Sequence, residues 1–283
     1  MLVTSEKMLL DAQKNGYAVG AFNAENMEMV MAIVEVATEL NAPVIIQTTP
    51  STVRYAGTDM YQAMVAAAAK NAPVPVVMHL DHGNSFDLAE RALKSGYTSL
   101  MFDGSHEKFE DNIALTKKVV DFARPYHIPV EAELGKVGGK EDDLEAEGGC
   151  TDPVEAAEFV KKTGVASLAV AIGTAHGVYN KEPKLDIERL KEIRKVVEVP
   201  LILHGASGLS DGAVQACIKE GICKVNFATE LRIAYTEGVK ELLAKDEKAF
   251  DPKKYGTVAM EKVKEVVRAR MKVCGCIGKA GKV

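Results

Sequence analysis

Short apolar runs of β type alternate with longer segments in which apolar residues recur every three or four positions, from one end of the 283-residue chain to the other. That alternation calls for parallel strands joined by crossover helices. The runs predict eight strands: Tyr17 to Phe22, Val44 to Gln47, Val76 to Leu80, Ser99 to Phe102, Val130 to Glu133, Ser167 to Ile172, Leu201 to Leu203 and Lys224 to Phe227. Helical spacing is clear in Glu25 to Leu40, where Met27, Val30, Met31 and Val34 share one face. Pro153 to Thr163 reads as a helix with Thr151 or Asp152 as N-cap. Further helices follow "KLDIERL" and "GLSDGAV", another runs from Thr229 to about Ala244, and an additional one spans about Tyr255 to Val273.

Neither linker nor repeat divides the chain, so the expected fold is a single α/β unit over residues 1–283, a closed (β/α)8 TIM barrel with an extra C-terminal helix. An open doubly wound sheet is the rival, but its Gly-x-Gly-x-x-Gly turn is missing after "YAVGAF". The longest irregular stretch, "GKVGGKEDDLEAEGGC" at 135–150, has the length and composition of a mobile lid rather than a spacer.

The strand interiors read as apolar, whereas polar residues gather at their C-terminal ends: Asn23, Gln47, Asp81 with His82, Asp103, Glu131 with Glu133, His176, His204 and Asn226. In a barrel those ends form one face, where loops surround the active site. Any one of these residues could simply mark a strand end; so many titratable groups and amides converging on one mouth point to a site. His82, His176 and His204 follow the third, sixth and seventh strands, and three neutral imidazoles with an open fourth position make a catalytic zinc centre. Asp103 and Glu133 are the carboxylates available to hold the ligands' other ring nitrogens. His79 reads as a packed core residue, His106 as a neighbour of the centre and His127 as a surface residue. The turns "GTAHGVY" and "HGASGLS", with "NFAT" opening a helix after the eighth strand, offer backbone N–H groups in the place where barrels cradle phosphate.

Composition narrows the partners. A formal net charge of -5 with 47% hydrophobic residues describes an ordinary soluble protein and argues against nucleic acid or membrane as the main partner. The first residues carry Glu6 and Asp11 where a leader would be apolar, so the expected location is cytoplasmic. Five cysteines without zinc-ribbon spacing fit reduced thiols better than a disulfide framework.

The blocks "HLDHG", "EAELG", "GGKEDD", "GTAHG", "HGASG" and "KVNFATEL", in this order, resemble the class II zinc-dependent ketose-bisphosphate aldolases over nearly the whole chain. "AIGTAHG", "HGASGLS", "NFATEL" and the "CGC" tail are similar to the tagatose-1,6-bisphosphate branch; "QTTPSTVRYAG" and "LDHGNSF" are similar to the fructose-1,6-bisphosphate branch. The resemblance implies cleavage of a ketose 1,6-bisphosphate, tagatose favoured and fructose the alternative, to dihydroxyacetone phosphate and glyceraldehyde 3-phosphate through a zinc-stabilised enediolate. It implies zinc on His82, His176 and His204, and Asp81 as the acid/base at the C4 hydroxyl. Gly177, Gly205, Ala206, Ser207, Asn226, Phe227, Ala228 and Thr229 would hold dihydroxyacetone phosphate. Glu141 would exchange the C3 proton, with Asp142, Asp143, Glu145 and Glu147 close by. A monovalent cation, Na+ or K+, near the phosphate and a homodimer or homotetramer are further implications. Ser51 and Arg54 are candidates for the far phosphate.

Three other readings remain at this level. A Schiff-base aldolase needs a lysine in the mouth, and Lys224 reads as opening its strand at the opposite end. A metal-dependent hydrolase would be expected to carry a His-x-His pair, which is missing. A non-catalytic binding protein would have no use for Asp81 beside a metal centre and a phosphate cradle.

Overall fold

The computed structural model describes residues 1–141, 144–146, 148–179 and 183–282, with side chains for all of these except 140, 141, 144–146 and 282. The strands are β1 (Val19–Asn23), β2 (Val44–Thr48), β3 (Val76–Gly83), β4 (Ser99–Phe102), β5 (Val130–Leu134), β6 (Gly138–Glu141), β7 (Leu144–Ala146), β8 (Ser167–Val170), β9 (Ala175–His176), β10 (Leu201–Leu203) and β11 (Ile222–Phe227). Eight of them close a parallel barrel in the order β1-β2-β3-β4-β5-β8-β10-β11, with β11 returning to β1. These eight coincide with the strands expected from the apolar runs. Both faces of each are covered, one by the ring of helices and one by the barrel interior, which is why they read as nearly continuous apolar runs.

The helices are α1 (Ser5–Asn15), α2 (Met27–Glu39), α3 (Pro50–Ala56), α4 (Thr58–Lys70), α5 (Phe86–Ser95), α6 (Phe109–Ala123), α7 (Pro153–Thr163), α8 (Ile187–Val196), α9 (Asp211–Lys219), α10 (Thr229–Lys245) and α11 (Pro252–Cys274). Asp152 caps α7, accepting from the N–H groups of Val154 and Glu155. Unexpected from the sequence, α1 precedes the first strand, and its Ser5 hydroxyl reaches Ser99 of β4 at 2.9 Å. The extra C-terminal helix α11 packs along α10 and α2, and the segment after it is fastened by Gly278 N–H to Leu40 and Ala280 N–H to Asn41. Among the described residues no helix is long and apolar enough to cross a membrane.

Two expectations need correction. The 135–150 segment is not irregular: β6 and β7 form an antiparallel hairpin, and β6 adds β9 in parallel, a small sheet beside the barrel. The barrel interior is not uniformly apolar either. His79, Ser99, Glu131 and Lys224 lie inside it, each at most 2% exposed. Their spacing carried the signal: His79 and Asp81, Glu131 and Glu133, Lys224 and Asn226 are pairs two apart, and in a strand such pairs share a face.

Candidate active site and metal centre

A regular strand turns successive side chains to opposite faces, so Asp81 and His82 should not both reach the mouth. A bulge removes the conflict. β3 pairs with β4 through Leu80 and Leu100 and then through Gly83 and Phe102, so Asp81 and His82 together stand opposite Met101. His82 adopts φ 50°, in the left-handed region that side chains other than glycine seldom enter. Glycine follows for a steric reason: a Cβ on Gly83 would come within 2.5 Å of the Met101 carbonyl oxygen. Asp81 and His82 consequently line one cleft, with His82 Nε2 4.0 Å from Asp81 Oδ1.

Asp81 is held by three amides. Asn226 Nδ2 donates to Oδ1 at 3.0 Å, while Gln47 Nε2 and Asn23 Nδ2 donate to Oδ2 at 2.9 and 3.1 Å. Burial pushes the Asp81 carboxyl up, but the neighbouring His82 and Lys224 outweigh it and hold the group below its ordinary value. It is an ionised, oriented carboxylate at neutral pH. The Asn226 oxygen is left buried without a partner among the described residues, and Asn226 lines the same cleft. A ligand hydroxyl would satisfy it.

His82, His176 and His204 come from three separate strand ends and each offers a nitrogen within 4.8 Å of the others. The three rings stack edge-on or tilted, with centroids 4.7 to 6.2 Å apart. His82 Nδ1 bonds Asp103 Oδ2 at 2.7 Å, which leaves Nε2 for a ligand. His204 Nδ1 meets Glu133 Oε2 at 2.9 Å and its Nε2 meets Glu131 Oε1 at 3.0 Å. Burial disfavours charge on His82, yet Asp81 and Asp103 raise its pKa well above the ordinary value. His204 is likewise raised, burial being outweighed by Glu131 and Glu133, whereas burial and the two other rings lower His176. Four carboxylates around three imidazoles make a buried pocket that favours cationic charge, and the donor set suits a tetrahedral divalent ion with one position open.

The cleft beside this cluster is lined by Gly177, Gly205, Ser207, Asn226, Ala228 and Thr229 as well as by Asp81, His82 and His176. Ser207 Oγ accepts from the Ala228 N–H at 3.1 Å, tying the loop after β10 to the start of α10. Tyr179 OH donates to the Gly205 carbonyl and accepts from the Ala175 N–H, both at 2.7 Å. Ala206 and Phe227, expected among the phosphate-binding residues, stand behind the wall with buried side chains; Phe227 stacks on Phe22. His106 and His127 are both exposed. Ser51 and Arg54 lie on α3. The Glu141 side chain, Asp142, Asp143, the Glu145 side chain and Glu147 lie outside the described residues; the Glu141 backbone ends β6.

Lys224 overturns its placement at the far end of its strand. β11 begins at Ile222, and Lys224 Nζ points into the barrel, 3.0 and 2.9 Å from the two Glu131 oxygens. Paired in this way it is no free amine for a Schiff base.

A family model for class II fructose-bisphosphate aldolases matches residues 3–279. The chain belongs to the class II fructose-bisphosphate aldolase family. It is an aldehyde-lyase, and zinc is the general metal of this class. The YdjI aldolase from Escherichia coli K12 is 42% identical, with a TM-score of 0.89, over 99% of this chain and 100% of that one. A Coccidioides immitis protein named as a candidate fructose-1,6-bisphosphate aldolase is 30% identical, with a TM-score of 0.90, over 98% of this chain and 97% of that one. The fructose-bisphosphate aldolase of Campylobacter jejuni shares the fold, with a TM-score of 0.84 at 22% identity over 98% of this chain and 97% of that one. In this class II aldolase the three histidines, and His82 with Asp103 and Glu133, are candidate groups for a metal.

Proposed function

We propose that this class II aldolase reversibly cleaves a ketose 1,6-bisphosphate, D-tagatose 1,6-bisphosphate in preference to the fructose isomer, giving dihydroxyacetone phosphate and D-glyceraldehyde 3-phosphate. The observation that carries the reading is the bulge in β3, which turns an ionised Asp81 and the imidazole His82 into one cleft beside the phosphate-type loops. The tagatose preference is supported by "AIGTAHG", "HGASGLS" and "NFATEL", which surround that cleft.

His82, His176 and His204 would hold zinc, which when bound supplies electrophilic stabilisation of negative charge developing next to a breaking carbon–carbon bond. Asp81 takes the proton of the C4 hydroxyl as the C3–C4 bond breaks, and its three amide donors keep the carboxylate ionised and aimed. Asn226 contributes its unpaired oxygen to a substrate hydroxyl. The N–H groups of Gly177, Gly205 and Ser207, with the N-terminus of α10 at Thr229, hold the C1 phosphate. Glu141 returns a proton to C3. Ser51 and Arg54 on α3 take the phosphate at the other end.

The test measures kcat/KM for the two bisphosphates with zinc-replete protein, before and after treatment with a chelator. Triose phosphates should form from both bisphosphates in the zinc-replete protein, with tagatose at least about tenfold ahead, a discrimination of 1.4 kcal/mol. Activity should vanish with chelator and return with zinc. A preference for fructose removes the tagatose assignment, and failure to cleave either sugar removes the reading as a whole.

A further inference from the structure

The interior carboxylate Glu131 and the lysine facing it have no part in the chemistry just described, yet both are buried and charged. Removing two ions from water carries a large penalty, which a barrel filled with apolar side chains would avoid. Glu131 is 2% exposed and Lys224 1%. The lysine engages both carboxylate oxygens, at 3.0 and 2.9 Å, and lies 3.3 Å from His79 Nε2. His79 Nδ1 is anchored in turn on Ser99 Oγ at 2.8 Å. One carboxylate oxygen, Glu131 Oε1, also reaches His204 Nε2 at 3.0 Å.

His204 therefore meets a carboxylate at each nitrogen, and the two are not equivalent. Glu133, at Nδ1, belongs with His82 and Asp103 to a second group whose potential ligand atoms lie within 4.8 Å of one another. Glu131, at Nε2, has its remaining contacts in the barrel interior. The Nδ1 edge of the ring is thus turned to the rim, and the Nε2 edge to the interior.

On the reading that the three histidines hold zinc, we propose that the buried Glu131–Lys224 pair is a positioning device for the metal. The lysine fixes the plane of the carboxylate, the carboxylate keeps the Nε2–H of His204, and Nδ1 is thereby presented to the ion. A hydrogen-bond acceptor on the far nitrogen of a histidine ligand fixes its tautomer and ring orientation, and removing one typically lowers metal affinity about 10- to 100-fold. The sequence holds no local motif for this arrangement, because Glu131, His204 and Lys224 come from three strands far apart in the chain.

The test strips purified full-length protein of metal and measures zinc affinity by competition with a chromophoric chelator, alongside Tm of the metal-free form. Wild type should bind one zinc at the rim, and His82→Ala should lose it; if wild type binds none, the histidine reading fails and not merely this extension of it. Lys224→Met and Glu131→Leu should each lower zinc affinity at least about 10-fold and also lower Tm, since each strands a buried partner. The double variant Lys224→Met/Glu131→Leu replaces both ions by apolar groups. Its Tm should return to or above the wild-type value while zinc affinity stays reduced, a separation that a purely structural pair would not produce. Wild-type affinity in the double variant overturns the proposal. Wild-type affinity in Lys224→Met alone removes the lysine from it.

Discussion

Asp81 is a carboxylate held charged and immobile. Its two oxygens accept from three amides, it is 2% exposed, and the charges nearby keep its proton off. Asp81→Ala leaves the three imidazoles in place, so zinc content is expected to stay near one per chain while kcat falls about 10²- to 10⁴-fold. Metal analysis and turnover on the same preparation check this, and near-normal turnover would remove Asp81 from the proton transfer. The residue pair Asp81–His82 was legible as chemistry from sequence alone. That both would face one ligand was expected as well; how the strand allows it was not legible, because regular alternation forbids it and only the bulge opposite Met101 permits it.

At the scale of the element, the bulge at the end of β3 resolves that contradiction. It depends on Gly83, whose hydrogen sits where any Cβ would meet the Met101 carbonyl oxygen at 2.5 Å and Leu80 Cδ2 at 2.7 Å. Gly83→Ala is expected to cost about 1 to 3 kcal/mol in unfolding free energy, the usual range for overpacking. It should also lower kcat more than an equally destabilising core substitution does, because the displaced strand end carries both Asp81 and His82. Denaturant melts paired with turnover measure the two effects; an unchanged unfolding free energy and rate would show that the bulge does not depend on Gly83. The β6–β7 hairpin is the comparable case on the other side of the cleft. Gly139, at φ 85°, lies against β9, where a Cβ would approach the His176 carbonyl oxygen to 2.3 Å. Gly and acidic residues made this segment look like unstructured loop, yet its main chain pairs with the strand that carries a candidate ligand.

For the whole molecule, the polar interior layer sets a pH dependence. Burial, aided by Lys224, lowers His79 from 6.5 to about 3, so the ring is neutral in the folded barrel at physiological pH. Lys224 donates to its Nε2, and Nδ1–H therefore donates to Ser99. Between those two values the unfolded chain binds a proton that the folded chain does not. Stability accordingly falls as pH drops through that window, by about 1.4 kcal/mol per unit for one such group. Glu131, also held below its ordinary value, adds a further loss toward acid. Thermal melts of metal-free protein from pH 7 to pH 4 should show a shallower decline for His79→Gln than for wild type. Identical slopes would show that His79 is not the neutral buried ring described.

The apolar runs by themselves determined the eight strands and their parallel closure, since a run buried on both sides and followed by a helical period has few other places to go. They also determined the extra C-terminal helix and the convergence of His82 and His204, because the C-terminal ends of parallel strands must share a rim; His176 reaches the same place from β9, beyond the end of β8. Tertiary structure alone decided which way each polar side chain turns. One-residue registers do that work: the shift opposite Met101 brings His82 round to Asp81, and the inward face of β11 carries Lys224 to Glu131 rather than to solvent. Local sequence encodes the period of a strand, whereas the partner of a buried charge is set by strands far away in the chain that meet only when the barrel closes.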